Sequence, residues 1–371
     1  MTRATRAEIY AGLMSGTSLD GIDAVLVDFS QTPARLIGHQ FLAYPAEIRH
    51  AAAELTAPGI DELHRSARLA FTLAELYAEA TLALLSRTGV HAKDVRALGC
   101  HGQTVRHRPE QGYSLQLVNS AQLVESTGIC VVTDFRSRDI AAGGQGAPLV
   151  PAFHRALFHD RSIARVIVNI GGIANLTHLP TSGKVIGFDT GPGNGLLDLW
   201  IGRHLGEHCD RDGALAARGR VDEPCLARLL ADDYFNRAPP KSTGRDDFNW
   251  AWLERTGVTA LDVADGQATL ASLTARSIAQ AVQQVCGPAG GVDEILLCGG
   301  GVYNLDLVRR IEQLLAPCAV RTTAALGISP DHVEAFAFAW LARCTLQGAS
   351  GNLPAVTGAR GERVLGAIYP V

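Results

Sequence analysis

The sequence predicts an α/β protein of two domains, and three observations carry that expectation. Strand-like and helix-like segments alternate along the whole chain. Its 371 residues exceed what one ordinary core accommodates. An apolar strand, a glycine-rich turn and a second apolar strand occur in succession twice, near residue 9 and again near residue 165, as an ancient duplication would leave them.

In the first part, Ile9 to Met14 and Ile22 to Phe29 are short apolar runs on either side of a turn, and a third strand follows at 34–44. These read as antiparallel neighbours. A long helix comes next, with Ile60, Leu63, Ala67, Ala70, Phe71, Ala74, Ala78, Leu82 and Leu85 on one apolar stripe and Gly89 at its end. Val95–Cys100, Tyr113–Leu117 and Ile129–Asp134 are strand-like, with a helix between the last two. Three glycines and a proline in Ala141–Val150 mark a hinge. The first domain is therefore set at 1–145, completed by about 345–371, and the second at 146–344. A helix from Val150 to about Phe158 is the first crossing element. The second domain restarts with a strand at 165–170, a turn at 171–175 and a return at 176–179. Another strand at 183–188 and helices at 193–205, 222–231 and 266–286 follow. A strand at 294–298, a turn at 299–301 and a helix at 304–315 complete it. A last helix at 331–347 crosses back to the first domain, and 365–369 forms a final strand.

Composition excludes several function classes. Net charge is −4 with both signs dispersed, so no basic patch for nucleic acid exists. No run of about 18 apolar residues is present, so no membrane span is expected. Arg3, Arg6 and Glu8 precede only a short apolar run, unlike a signal peptide. The eight cysteines form no C-x-x-C pair and read as buried thiols of a cytoplasmic protein.

The densest chemistry lies in Gly12–Asp23. Gly16 and Gly21 let the backbone approach an anion, and Ser15, Thr17 and Ser18 add hydroxyl donors. Asp20 and Asp23 would repel a bare phosphate, and they make sense with a divalent cation between them and it, as with Mg-nucleotide. A plain hairpin turn is the structural alternative. Glycine-rich turns recur at 171–175, 187–194 and 298–304, and four of them together point to a shared nucleotide cleft. Asp189, among Thr190, Gly191, Gly193 and Asn194, is the carboxylate best placed for chemistry, unless it only caps a turn or helix. The run Cys100–His107 follows a strand and is rich in donors, and His101, Gln103 and Thr104 are candidates for binding hydroxyls. His101 and His107 lack a third ligand at metal-site spacing. Asp134 ends a strand beside Arg136 and Arg138, either of which could pair with an acidic substrate group or with a neighbouring aspartate. Glu334 either faces the cleft or serves the helix dipole. The polar loop at 239–246 reads as a lid or a dimer contact, and the sequence does not decide between them.

These residues together resemble the anhydro-N-acetylmuramic acid kinase family of the acetate kinase, sugar kinase, heat-shock chaperone and actin superfamily. The resemblance rests on Gly12-Leu-Met-Ser-Gly-Thr-Ser-Leu-Asp-Gly21, Cys100-His-Gly-Gln-Thr-Val-Arg-His107, Thr133-Asp-Phe-Arg136 and Gly143-Gly-Gln-Gly-Ala-Pro-Leu-Val-Pro151. Asn169-Ile-Gly-Gly-Ile-Ala-Asn175, Gly187-Phe-Asp-Thr-Gly-Pro-Gly-Asn194, Pro240-Lys-Ser-Thr-Gly-Arg245 and Cys298-Gly-Gly-Gly301 continue it in family order. Departures are small: Leu13 at a variable aliphatic position, and Asp246 where the family often has Glu.

The resemblance implies two ribonuclease-H-like (actin-like ATPase) domains flanking a nucleotide cleft. It implies an ATP-dependent kinase that opens 1,6-anhydro-N-acetylmuramic acid with water and phosphorylates O6, giving N-acetylmuramic acid 6-phosphate and ADP. By the same similarity Gly16, Thr17, Ser18, Leu19, Asp20, Gly21, Ile22 and Asp23 form the ATP-phosphate loop; Asp20 is the candidate Mg²⁺ ligand, with Asp23 or water alone as the alternatives. Gly171, Gly172, Asn175, Gly191, Gly193, Gly299, Gly300, Gly301 and Asn304 complete the nucleotide site, from the second phosphate and adenosine loops. Asp189 matches the catalytic base, and His101, Gln103, Thr104, Asp134, Arg136 and Glu334, read from their own positions, are the candidates for holding the sugar. The family is typically homodimeric. A kinase for another amino sugar, or an ATP-driven scaffold like actin, are the competing readings. The polar loops at 101–107 and 133–138 argue against the scaffold.

Overall fold

The computed structural model describes residues 7–244, 246–286 and 291–371, so Arg3, Arg6 and Arg245 lie outside the described residues. The chain packs as two compact units. Residues up to Phe153 and His332–Val371 form the first, and His154–Asp331 the second. These divisions fall after 145 and before 345, because the whole helix Val333–Leu346 belongs to the first unit.

Twelve strands occur among the described residues: β1 (Ile9–Ser15), β2 (Gly21–Asp28), β3 (Arg35–Ala43), β4 (Val95–Arg108), β5 (Tyr113–Leu117), β6 (Val131–Thr133), β7 (Arg165–Ile170), β8 (Ile173–Leu179), β9 (Ile186–Pro192), β10 (Glu294–Cys298), β11 (Ala319–Thr322) and β12 (Ala367–Tyr369). In the first unit the sheet order is β12-β6-β4-β1-β2-β3, with β5 hairpinned onto β4. β1, β2 and β3 are antiparallel, while β4 runs parallel to β1 and β6 parallel to β4. In the second unit the order is β11-β10-β7-β8-β9. Here β7, β8 and β9 are antiparallel, β10 runs parallel to β7 and β11 parallel to β10. Each unit thus has the same five-strand core, an antiparallel meander whose first strand is flanked by two further parallel strands. This is the duplicated ribonuclease-H-like arrangement.

Two glycines set the packing of the first unit. A Cβ on Gly12 would lie 1.8 Å from the Ala335 carbonyl oxygen, and one on Gly99 would lie 2.0 Å from that of Phe338. The helix Val333–Leu346 therefore rests on β1 and β4 at backbone contact. It is apolar on nearly every face and buried almost throughout, as a helix enclosed on all sides must be.

The helix Glu62–Thr88 ends at Gly89 in the left-handed conformation, as expected. Its buried face differs from the expected stripe. Leu69, Leu73, Ala74, Tyr77, Ala78, Thr81, Leu84 and Leu85 are buried, whereas Ile60, Leu63, Phe71 and Leu82 are exposed. The helix carries two overlapping apolar registers, and the sheet takes the one containing Tyr77. Its length and composition would also suit a membrane span, but half of its most apolar window is buried inside the unit, as in a core helix.

Two predicted loops are strands. β4 continues through Arg108 because β5 pairs with it, so His101–His107 lies within the sheet. β9 continues through Pro192 against β8, so Asp189 is a strand residue and not a turn residue.

In the second unit the helix Val263–Cys286 separates two cores. Ile278 and Val282 face the sheet residues Val166, Val168, Leu176 and Phe188. Leu270 and Leu273 join Trp200, Leu226, Phe248, Trp252 and Leu253 in a helical cluster. That cluster anchors the chain on both sides of the loop at 239–247.

Candidate active site

The first unit presents the Gly16–Asp20 turn between β1 and β2. The Leu19 N–H donates to the Gly16 carbonyl at 3.3 Å, closing the turn. Leu19 has φ 60°, a conformation that costs a non-glycine residue energy. Its buried side chain anchors the turn to the core, leaving Thr17, Ser18 and Asp20 exposed at the tip. The Asp20 carboxylate accepts the Ser18 hydroxyl at 2.7 Å. Beyond the tip, Gly21 starts β2 under the Leu42 carbonyl, where only a glycine fits (2.3 Å to a Cβ), Ile22 is fully buried, and Asp23 pairs with Phe41 in the ladder. Among the described residues no cluster of three or more His, Cys, Asp or Glu could hold a metal ion.

A buried polar network supports this turn. The Ser15 hydroxyl and the Tyr77 hydroxyl are 2.5 Å apart. The Tyr44 hydroxyl donates to Gln103 Oε1 at 3.2 Å, and Gln103 Nε2 donates to the Gly16 carbonyl at 3.1 Å. Gln103 is fully buried, so its amide holds the turn. Burial pushes the Tyr44 phenol up to about 12, which keeps it a donor.

His101 and Arg136 meet directly. Arg136 Nη2 and Nε lie 2.9 and 3.3 Å from His101 Nε2, and Nη1 donates to the Gly146 carbonyl at 2.7 Å. A guanidinium only donates, so His101 Nε2 accepts and the imidazole is neutral with its proton on Nδ1. Burial and the guanidinium hold its pKa well below the usual value, and the ring packs on Phe338. Burial lowers Arg136 to about 10, while Glu334 and Asp139 favour its charge. Asp139 is fully buried and accepts from the Gly146 N–H, Asn352 Nδ2 and the Thr357 hydroxyl. It thereby pins the carbonyl that Arg136 grips. The other two candidates stand apart from this pair. Thr104 accepts from Gln116 at 3.2 Å, and Asp134, exposed at φ 56°, accepts the Ser137 hydroxyl at 2.5 Å.

In the second unit three glycine-rich segments converge at the ends of β7 and β10. The N–H groups of Gly193 and Gly195 donate to the Gly172 carbonyl, and that of Asn194 to the Gly171 carbonyl. A Cβ on Gly193 would lie 2.3 Å from the Gly171 oxygen. On the other side, a Cβ on Gly299 would meet Asn169 Oδ1 at 2.4 Å, and one on Gly301 would meet Ile170 at 2.2 Å, while Gly300 faces open space. Asn304 is spent as a helix cap, accepting the Leu307 N–H at 3.0 Å. Gly191, at φ 145°, sits against the Phe235 ring.

Ladder pairing places Asn169 opposite Asn175, and Asn175 opposite Asp189. Directly opposed residues share a sheet face, so these three form a polar row across β7, β8 and β9. Asp189 is held from the loop at 239–247 and from Tyr234. Its N–H donates to the Lys241 carbonyl, its carbonyl accepts the Tyr234 hydroxyl at 2.6 Å, and its Oδ2 accepts the Thr243 N–H at 3.1 Å. Burial raises the carboxyl from 3.8 to about 7, against which the single Thr243 N–H works. The Lys241 ammonium donates instead to the Tyr234 and Phe235 carbonyls. Sequence reasoning missed Asn169, Tyr234 and Thr243. The Lys-Ser-Thr-Gly run marked Thr243, but no spacing linked it to residue 189.

Fold and site together define a two-unit α/β phosphotransferase, with glycine turns at strand ends and one carboxylate poised near neutrality. The family model for anhydro-N-acetylmuramic acid kinase matches residues 8–371, and the chain belongs to that family. It is 54% identical over 368 residues to the anhydro-N-acetylmuramic acid kinase of Thiobacillus denitrificans, covering 98% of both chains. It is 53% identical to that of Nitrosospira multiformis, covering 98% of this chain and 100% of the relative. With that of Cupriavidus pinatubonensis it shares 55% identity, covering 97% and 98%.

Proposed function

We propose that this chain is an ATP-dependent kinase that opens the 1,6-anhydro ring of 1,6-anhydro-N-acetylmuramic acid with water and phosphorylates O6. The products are N-acetylmuramic acid 6-phosphate and ADP, in the recycling of peptidoglycan. The observation that carries the mechanism is Asp189, a desolvated carboxylate near pKa 7 with one amide donor. A general base works best when its pKa lies near the operating pH.

The chemistry needs only one such group. Glycosidases use two carboxyl groups, one of which protonates the departing oxygen. Here the departing O6 is captured by the γ-phosphorus of ATP. Water forms a bond to C1 and gives its proton to Asp189, the C1–O6 bond breaks, O6 bonds to phosphorus, and ADP leaves. In this reading the Gly16–Asp23 turn, Gly171, Gly172, Asn175, Gly191, Gly193 and Gly299–Gly301 orient ATP, with Asn304 acting through the helix start it caps, and the second unit carries the second phosphate and adenosine loops. Asp20 would hold Mg²⁺, which supplies charge neutralisation on the phosphoryl oxygens when bound. Arg136, charged and oriented by His101, would take the substrate's lactyl carboxylate, with Glu334, Thr104 and Asp134 on the hydroxyl and amide groups. Gln103 acts through the Gly16 carbonyl. The two units serve as the two kinase domains of a cytoplasmic homodimer, which sedimentation of the purified protein would test.

The decisive experiment is Asp189→Asn. It should retain ATP binding and lose ring opening and phosphorylation together, since the steps are coupled. A variant that phosphorylates O6 at the normal rate would show that Asp189 is not the base.

A further inference from the structure

We infer that Asp247 is a positioning residue for the base, holding the Thr243 hydroxyl so that the Thr243 N–H stays on Asp189 Oδ2. The inference rests on the assignment of Asp189 as base and extends it to the exposed rim of the site.

The geometry is a short relay. Asp247 Oδ2 accepts the Thr243 hydroxyl at 2.7 Å, and the same residue's N–H reaches Asp189 Oδ2 at 3.1 Å. Asp247 is itself anchored. Its N–H and that of Phe248 both donate to the Gly244 carbonyl, and Phe248 is buried edge-on against Tyr234 and Trp252. Thr243 is thereby clamped between a fixed turn and the strand. The opposite flank of Asp189 is fixed differently, through Tyr234, whose segment is tied down where Asp232 accepts the Tyr234 N–H and the Trp252 indole N–H. Of these two arms, the Thr243 arm is the one that touches the carboxylate. Within this unit the ionisable groups around Asp189 are Tyr234, Lys241 and Asp247, with Arg237 next to Tyr234 and Lys241. Among the described residues none of these is a counter-ion to Asp189, and the Thr243 amide is the group that stabilises its charged form. Displacing that donor must raise the pKa.

The test is the pH profile of kcat, followed as ADP release with ATP and the anhydro-sugar. Asp247→Ala and Thr243→Val should move the acid limb upward by about half a pH unit or more. Asp247→Asn keeps an acceptor and Thr243→Ser keeps the hydroxyl, so both should leave the limb in place. If Asp247 acted only through its charge, Asn and Ala would shift the limb alike and downward, and that result overturns the proposal. An unmoved limb in Asp247→Ala or in Thr243→Val overturns it as well. Should Asp247→Ala fail to fold, the Val and Ser pair at 243 decides alone. If the wild-type limb persists in the residual activity of Asp189→Asn, the base assignment itself is wrong, and this result is separable from the others.

Discussion

Asp189→Asn also tests the site through stability, without substrate. A carboxyl raised from 3.8 to about 7 by burial disfavours its own ionisation in the folded protein. The unfolded chain releases this proton near 3.8 and the folded chain near 7. Between those values the unfolded state binds fewer protons, so folding stability falls as pH rises and levels off above about 7. At about 1.4 kcal/mol per pKa unit the ceiling is about 4 kcal/mol, and a loss on the order of 2–4 kcal/mol is expected at pH 8. Asparagine has the shape of the neutral acid, can still accept the Thr243 N–H, and never ionises. The variant should therefore match the wild type at about pH 3, below the unfolded carboxyl's range, and exceed it progressively up to pH 8. Urea unfolding across that range, followed by tryptophan fluorescence, is the assay. Trp200, Trp250 and Trp252 lie in the unit that holds Asp189, so the signal reports mainly that unit. A stability gap that does not change with pH, or a variant less stable at pH 8, would refute the electrostatic reasoning.

Three further outcomes are expected. Gly12→Ala forces a Cβ to 1.8 Å from the Ala335 carbonyl and should cost 3 kcal/mol or more by roughly the overpacking scale, whereas Gly89→Ala, in open space at φ 70°, should cost about 1 kcal/mol, both read from urea midpoints. Asp139→Ala leaves Asn352, Thr357 and the Gly146 N–H without their acceptor and should cost about 3 kcal/mol while raising KM for the sugar more than it lowers kcat. Arg136→Lys cannot reach His101 Nε2 and the Gly146 carbonyl together, so KM for the sugar should rise by about tenfold with KM for ATP unchanged in steady-state kinetics.

Much of this protein is legible in one dimension. Short continuous apolar runs on either side of a glycine turn specify β1, β2, β7 and β8, and capping residues end the helices at Gly89 and open one at Asn304. These are local effects of backbone sterics and apolar run length, and they hold wherever the segment is placed. The glycine-rich motifs and Asp189 stand out for the same reason, since small residues and an isolated acid interrupt apolar strands. What lay beyond the sequence depends on partners distant along the chain. β4 and β9 run past their apolar stretches because β5 and β8 offer ladder bonds. The helix Glu62–Thr88 carries two apolar registers, and only packing against the sheet chose the one with Tyr77. Gln103 reads as a sugar ligand until the fold buries it beneath the Gly16 carbonyl. The sequence by itself determined most of the elements, the motifs and the carboxylate proposed as the base. Only tertiary structure decided that carboxylate's acidity, because desolvation and a single amide donor from residue 243 arise where segments over fifty residues apart meet.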